Sequence, residues 1–249
     1  MASNFFKHGL INTGVVECVY SIFENVQKNY SRKLRSSIQC EINSGSLMTK
    51  GNPINYNYLI LDGTLFHQLL DNYEEDSLLT PNIKNKDFDE FKNQIIYAGK
   101  GKNDRKFTHL VTGKKINLKQ LVLSKISAKF SKIASIWEKG HGITILHLFS
   151  ETNQFEALSR EFAIIKAIRL NNLTNIVNGT PYGAMKNKWN NTEVVNFGNM
   201  MLYYALSMAI RERPAILYKE DIQICNSTEG KRSMEDYEMQ GILECFLEL

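Results

Sequence analysis

The amino-acid sequence predicts an α+β domain in which three short strands alternate with about five helices. Two observations lead to this class. Short runs rich in aromatic and β-branched residues, typical of strands, are separated by longer stretches whose apolar residues recur at helical spacing. The 249-residue chain is also 43% hydrophobic, with 15 glycines but only 4 prolines, which excludes disordered, collagen-like and low-complexity proteins. No internal repeat is present.

The first third of the chain contains one predicted helix and one predicted strand. An amphipathic helix is expected at about residues 13–29, followed by a basic patch at 32–35 and a polar linker that ends near Pro53. Residues 56–61 are aromatic and β-branched, so they predict a strand closed by Asp-Gly. Residues 63–92 are acidic and mixed in character, and we expect a surface excursion there.

The rest of the chain alternates between strands and helices. Strands are predicted at residues 94–98, ending before Gly99-Lys100-Gly101, and at residues 143–149. Apolar residues at helical spacing predict helices at residues 117–138, 153–170, 192–213 and 233–246.

The charge distribution points to a polyanionic partner. The whole chain carries 30 Lys and Arg against 26 Asp and Glu, a net charge of +4. Between residues 97 and 139 there are eleven basic residues and two acids, so this stretch carries +9 and the remainder −5. A basic block inside an otherwise acidic protein is typical of proteins that bind polyanions.

Cysteine use and hydropathy indicate the compartment. The four cysteines are scattered and form no C-x-x-C pair, which favours a reduced intracellular protein without a disulfide framework or zinc site. No apolar run approaches the ~20 residues needed to cross a bilayer. We therefore expect an intracellular protein of the nucleus or cytoplasm, without a membrane span.

Glu161 is the most informative polar residue. On a helical wheel of residues 154–170 it falls in the middle of a broad apolar arc. A carboxylate on a buried face costs several kcal/mol unless it meets a cation or hydrogen-bond donors. Two interpretations stay open on helix geometry alone: a structural ion pair or cleft-mouth position, and a ligand for Mg²⁺, which keeps most of its waters.

Other candidate residues are weak when taken singly. Arg105 and His109 share a helix face at a spacing of four, and could bind a phosphate and move a proton. Taken in isolation, an exposed Arg and a surface His are the commoner explanation. Gly99 and Gly101, with their lysine neighbours, could approach a phosphate or simply form a turn. Tyr58 lies in a strand, where tyrosines are mostly packing residues.

Read together and in order, these residues resemble the GIY-YIG endonucleases. The first motif is similar to Tyr56-Asn57-Tyr58 and the second to Tyr97-Ala98-Gly99. The family's Arg-x-x-x-His matches Arg105 and His109, its metal-binding Glu matches Glu161, and its closing Asn matches Asn175. The order and spacing of five separate elements make the resemblance specific.

One branch of the superfamily is more similar still. Segments such as YLILD, IIYAGKG and FEALSREFAIIKAIRLNNLTN, between residues 56 and 222, resemble the C-terminal nuclease domain of ankyrin-repeat and LEM-domain endonucleases. The chain departs from the pattern in lacking Gly in the first triplet and Ile in the second, and in having no ankyrin repeats or LEM segment. The resemblance implies a small mixed or antiparallel sheet. It also divides the chain into an N-terminal helical extension and linker (1–50), the nuclease domain (51–222) and a C-terminal helical extension (223–249).

The resemblance implies a metal-dependent DNA endonuclease that nicks DNA or selects branched structures. Glu161 would hold one Mg²⁺ or Mn²⁺, Arg105 with Lys100 would neutralise the phosphate, and Tyr58 and Tyr97 would position the water. Tyr58 or His109 would take the proton, and Asn175 would orient the Glu161 side or a phosphate oxygen. The basic segment becomes the DNA-binding surface, with Lys100, Lys102, Lys106, Lys114, Lys115 and Lys119 as its members.

The resemblance implies a protein that binds DNA and needs no small-molecule cofactor, and a single active site per chain predicts nicking by a monomer. Two alternatives remain open at this point. One is a catalytically idle nucleic-acid-binding module of the same fold. The other is a nuclease that acts mainly on RNA, because no residue pattern in the sequence shows whether the protein contacts the 2′-hydroxyl that distinguishes RNA from DNA.

Overall fold

The protein is built around a single antiparallel sheet. A computed structural model describes residues 13–48, 54–73, 81, 83–102, 105–115 and 128–222, with side chains from residue 28 onward. The strands are β1 (Asn55–Asp62), β2 (Ile95–Lys102) and β3 (Ile143–Thr152), in the spatial order β2-β1-β3. The α+β class and the three-stranded sheet are confirmed, and both strand pairs are antiparallel.

Helices cover both faces of the sheet. In chain order they are α1 (Thr13–Asn43), α2 (Gly63–Leu70), α3 (Asn85–Gln94), α4 (Arg105–Lys115), α5 (Ala128–Glu138), α6 (Gln154–Ile168), α7 (Ala184–Asn187) and α8 (Asn191–Glu212), with a 3₁₀ turn at Leu170–Asn172. The helix predicted at 233–246 and the start of the one predicted at 117–138 lie outside the described residues. No helix in the described part of the chain is both long and apolar enough to span a membrane.

The central strand β1 is buried along its whole length because each of its faces meets a different core. One face, with Leu59 and Leu61, packs into a large core formed with α1, α2, α3, α6 and α8. The opposite face, with Tyr56, Tyr58 and Ile60, packs into a smaller core formed with α4 and α5. Tyrosine side chains on this second face are therefore enclosed between the sheet and two helices.

Helix α1 is longer than the sequence predicts. The basic patch at 32–35 and much of the expected linker are helical up to Asn43. Leu34 and Ile38 are fully buried one turn apart, whereas Arg32, Lys33 and Arg35 stay exposed. The prediction was wrong because Leu34 and Ile38, four residues apart, continue the apolar face of the helix through the basic patch.

The prediction of a surface excursion is also wrong for the segment 63–92. It contains two helices, α2 and α3, separated by residues of which only a few are described. Phe66 and Phe91 are fully buried, with ring centroids 5.5 Å apart. The Asp62 carboxylate accepts a hydrogen bond from the Leu65 amide at 3.2 Å and caps α2. Acidic residues between the two helices and within α3 concealed the amphipathic faces in the sequence.

Strand β2 continues through Gly99 and Gly101, where the sequence predicted a turn. Gly99 pairs with Tyr58 and Gly101 with Tyr56. A Cβ atom at Gly99 would lie 2.8 Å from the Tyr58 hydroxyl oxygen and 2.6 Å from Cε1 of Tyr97. These glycines therefore leave space for tyrosine rings within the strand, rather than forming a turn.

Candidate active site

Three ring side chains meet on the sheet face beneath α4 and α5. Tyr58 projects from β1, Tyr97 from β2 and His109 from α4. The Tyr58 ring centroid lies 6.0 Å from that of Tyr97 and 5.8 Å from that of His109. The Tyr58 hydroxyl and Nε2 of His109 are 2.6 Å apart in a buried hydrogen bond. This short contact is the geometric centre of the candidate site.

His109 is neutral in this environment. Burial lowers its pKa to about 2, and the positive charges of Lys129 and Arg105 act in the same direction. Nζ of Lys129 lies 3.5 Å from Nε2, and an ammonium can only donate. The Lys129 ammonium therefore favours the Nδ1–H tautomer, in which Nε2 accepts a hydrogen bond from the Tyr58 hydroxyl.

The environment of Tyr58 includes Arg105 and Glu161. Burial raises the pKa of Tyr58, as do the neighbouring Tyr97 and the negative charge of Glu161, whereas the Arg105 guanidinium opposes the rise. These influences reach Tyr58 from β2, α4 and α6. The fold therefore brings five of the sequence-predicted residues into one electrostatic environment.

Glu161 does not occupy the buried centre of its helix. It is half-buried, whereas Glu156 and Arg160 on the same helix are 1% and 2% exposed. Arg160 donates through Nη2 to Oε1 of Glu156 at 2.7 Å. The expectation of a single buried arc was wrong because α6 packs against the sheet on one side and against α8 and α1 on others.

Asn175 contacts the backbone of β2 with both ends of its amide. Its Oδ1 accepts from the Ala98 amide at 3.1 Å, and its Nδ2 donates to the Ala98 carbonyl at 2.7 Å. The backbone amide and the side-chain hydroxyl of Thr174 each donate a hydrogen bond to the Ile96 carbonyl. The side chain thus continues the sheet along the β2 edge and fixes the strand that carries Tyr97.

The lysines predicted to bind DNA are distributed over several surfaces. Lys100 and Lys102 are half-buried on the β2 face opposite Tyr97, because side chains alternate along a strand. Lys106 Nζ lies 2.6 Å from Nδ1 of His147. Lys114 donates to the Ile222 carbonyl, and Lys115 is exposed. Lys119 lies outside the described residues.

Lys129 is a residue of the site that sequence reasoning missed. It counted only as one of eleven basic residues, yet it is 7% exposed. Its Nζ lies 4.0 Å from the centroid of the Tyr97 ring. The periodicity could have found it, because Lys129 lies four residues before the buried Ile133 and shares its helix face.

One carboxylate near Tyr58, that of Glu161, could bind a hard divalent cation. Glu161 offers a half-buried carboxylate, and oxygen ligands of this kind suit Mg²⁺, which retains several of its waters. The structure groups no three His, Cys, Asp or Glu side chains suitable for a metal among the residues that it describes. Glu161 is thus the candidate ligand.

Acidification is expected to destabilise the wild type more than a His109→Gln variant. The folded-state pKa of His109, about 2, lies below the ~6.5 of an unfolded histidine. Below about pH 6.5 the unfolded chain takes up a proton that the folded chain does not, so stability is lost as pH falls. Between pH 8 and 5 this difference amounts to about 2 kcal/mol. Urea unfolding of both proteins at both pH values measures it, and equal losses would contradict a buried neutral His109.

Comparison with known proteins identifies relatives of the chain. It is 30% identical over 160 residues to the "Ankyrin repeat and LEM domain-containing protein 1 homolog" of Caenorhabditis elegans, covering 63% of this chain and 21% of the relative. It is 31% identical over 133 residues to "Ankyrin repeat and LEM domain-containing protein 1" of Mus musculus, covering 53% of this chain and 24% of the relative. The chain therefore matches less than a quarter of the length of these relatives.

The family assignment agrees with the geometry. No solved structure matches the chain. Residues 55–224 match the family described as the LEM-3-like GIY-YIG domain, and this range contains the sheet and every residue of the candidate site. Since the match covers more than half of the sequence, the chain belongs to the LEM-3-like GIY-YIG domain family of nuclease folds.

Proposed function

We propose that the protein is a metal-dependent DNA endonuclease that hydrolyses phosphodiester bonds. The observation that carries the proposal is the buried 2.6 Å hydrogen bond between the Tyr58 hydroxyl and Nε2 of His109. A neutral imidazole that accepts a hydrogen bond from a hydroxyl is placed to take its proton, and the negative charge of a bound phosphodiester would raise the low pKa of His109 towards the range in which it can act as a base. With Arg105 and Glu161 acting on the same hydroxyl, the site combines a proton acceptor, a phosphate-binding cation and a carboxylate.

Each residue has a defined task in the proposed reaction. As water attacks phosphorus, its proton passes to the Tyr58 oxygen while the Tyr58 proton moves to Nε2 of His109. The P–O3′ bond breaks, and the departing oxygen takes a proton from solvent. Arg105 neutralises the charge that develops on the phosphate, and Tyr97 helps to orient the attacking water. Glu161 would hold Mg²⁺ or Mn²⁺, which supplies Lewis-acid stabilisation of that charge.

Substrate binding is assigned to the lysines of the basic segment. The exposed Lys115, the half-buried Lys100 and Lys102, and Lys106 supply charge to the phosphate backbone, so binding should weaken with added salt. One site per chain predicts that a monomer nicks DNA, and the resemblance to the ankyrin-repeat and LEM-domain endonucleases favours structure-selective cleavage. We assign the activity to residues 51–222 and place the protein in the nucleus or cytoplasm.

Cleavage of supercoiled plasmid tests the proposal. Wild type should nick the plasmid with Mg²⁺ or Mn²⁺ and not with EDTA. Tyr58→Phe should reduce the rate by about 100-fold, because the proton path loses its hydroxyl. Tyr56→Phe is the matched control, since this tyrosine lies two residues away on the same strand face, and its hydroxyl accepts from the Lys106 amide at 3.4 Å.

Three outcomes would contradict the proposal. Wild type that binds DNA but never nicks it would identify an idle binding module. Faster cleavage of a structured RNA would identify a ribonuclease. Tyr58→Phe with the same rate as Tyr56→Phe would exclude the proton path through the Tyr58 hydroxyl.

A further inference from the structure

Lys129 is a buried cation at the centre of the site. It lies on α5, outside the motifs that identify the family. Its side chain extends over the Tyr97 ring, with Nζ 4.0 Å from the ring centroid and 5.2 Å from that of Phe130. The same nitrogen lies 3.5 Å from Nε2 of His109. The ammonium is therefore placed between two of the three rings that form the candidate site.

Burial decides how this ammonium can act. With 7% of the residue exposed, Lys129 offers little surface to a phosphate in solution. A buried ammonium also costs several kcal/mol unless hydrogen bonds or charges compensate it. The cation–π contact with Tyr97 and the acceptor nitrogen of His109 provide part of that compensation. Lys129 thus acts on the reaction through these two side chains.

The groups that face His109 define what Lys129 contributes. Tyr58 reaches the imidazole from β1, Tyr97 from β2 at a ring-centroid distance of 5.5 Å, and Arg105 acts from α4 itself. From α5 come Lys129 and Phe130, while Glu161 acts on Tyr58 from α6. Among these side chains, Lys129 places a donor against the same nitrogen that accepts from Tyr58. It therefore opposes the tautomer in which Nε2 carries the hydrogen.

We propose that Lys129 is a positioning residue of the active centre, whose ammonium keeps Nε2 of His109 as a hydrogen-bond acceptor directed at the Tyr58 hydroxyl. Its role as an aid to catalysis rests on the proposed function, because the acceptor nitrogen matters only if Tyr58 must lose a proton. The tautomer preference itself does not depend on that function. Two separate measurements can therefore distinguish the two ideas.

The first measurement is the tautomer of His109. Nitrogen-15 NMR at pH 7.5 distinguishes Nδ1–H from Nε2–H imidazole, and the His109→Gln variant assigns the signal. Wild type should show almost entirely Nδ1–H, and Lys129→Met should show a mixture in which Nε2–H rises to a substantial share. Lys132→Met is the control, because Lys132 is exposed on the same helix, and it should match wild type.

The second measurement is plasmid nicking by the same proteins. Lys129→Met should lower kcat in proportion to the share of His109 that changes to the Nε2–H tautomer, by about two- to tenfold, although removal of the positive charge also raises the pKa of His109. KM should change less than threefold. Lys129→Arg retains the charge and should recover part of the rate. If Lys129→Met does not fold, Lys129→Gln gives the same comparison.

The outcomes separate the two proposals. An unchanged tautomer in a folded Lys129→Met protein overturns the role of Lys129, whether or not the wild type cleaves DNA. A changed tautomer with unchanged kcat overturns its role in catalysis. Failure of wild type to cleave contradicts the proposed function, while the NMR comparison still decides whether Lys129 controls the tautomer.

Discussion

Glu161→Gln is expected to abolish metal-dependent cleavage while preserving the fold and DNA binding. Gln has nearly the same shape but no charge, so it is a poor ligand for Mg²⁺. Loss of several kcal/mol of Lewis-acid stabilisation corresponds to a rate decrease on the order of 10³-fold or more. Binding should persist or strengthen, because a negative charge beside the phosphate is removed. Plasmid nicking and salt-dependent binding measure the two effects.

The control for this experiment is Glu138→Gln. Glu138 is exposed at the end of α5, so the variant makes the same charge change away from the site and should cleave like wild type. Equal cleavage by Glu161→Gln and Glu138→Gln, with the same response to EDTA, would show that Glu161 is not the metal ligand. Loss of cleavage in both variants would indicate that cleavage depends on the net charge of the protein and not on Glu161 as a metal ligand.

The second large effect concerns stability, and we expect Glu156→Met to destabilise the fold by about 3–5 kcal/mol. Glu156 accepts from Arg160 at 2.7 Å and from Nε of the Arg35 guanidinium at 3.1 Å. Although burial alone would raise the pKa of Glu156, these two arginines hold it below its usual range. Without the carboxylate, Arg160 is left buried beside the Phe149 ring with its charge uncompensated. Urea unfolding at pH 7 measures the loss.

Two further variants identify the cause. Arg35 keeps 63% of its side chain exposed, so Arg35→Met should cost less than about 1 kcal/mol. The double variant Glu156→Met/Arg160→Met should regain most of the stability, because both buried charges are removed together. If Arg35→Met costs as much as Glu156→Met, or the double variant is no better than the single one, the buried pair is not the source of the effect.

The elements with strong periodicity were predictable from the sequence. The predicted strands at 56–61 and 143–149, and the helices at 153–170 and 192–213, agree with β1, β3, α6 and α8 within a few residues. The prediction of secondary structure failed where the local composition indicated the wrong element. Acidic residues within α3 and between α2 and α3 concealed these two helices. The glycines of β2 suggested a turn, because the local sequence does not show that a tyrosine ring from the neighbouring strand occupies the space beside them.

The candidate site was only partly predictable. Motif order selected Tyr58, Tyr97, Arg105, His109 and Glu161, and the fold places them in one environment. Their roles remain predictions. The backbone contacts of Asn175 at Ala98 and the position of Lys129 over Tyr97 were not predicted, because each joins segments far apart in sequence.

The periodicity of the sequence determined the fold class, and the order of its motifs indicated the family and selected the candidate site residues. Tertiary structure alone decided which charges are buried. A helical wheel placed Glu161 in the middle of the apolar arc, whereas packing of α6 against the sheet, α8 and α1 buries Glu156 with Arg160 and leaves Glu161 only half-buried. Burial depends on what covers each side of a helix, and that is settled only when the other elements pack around it.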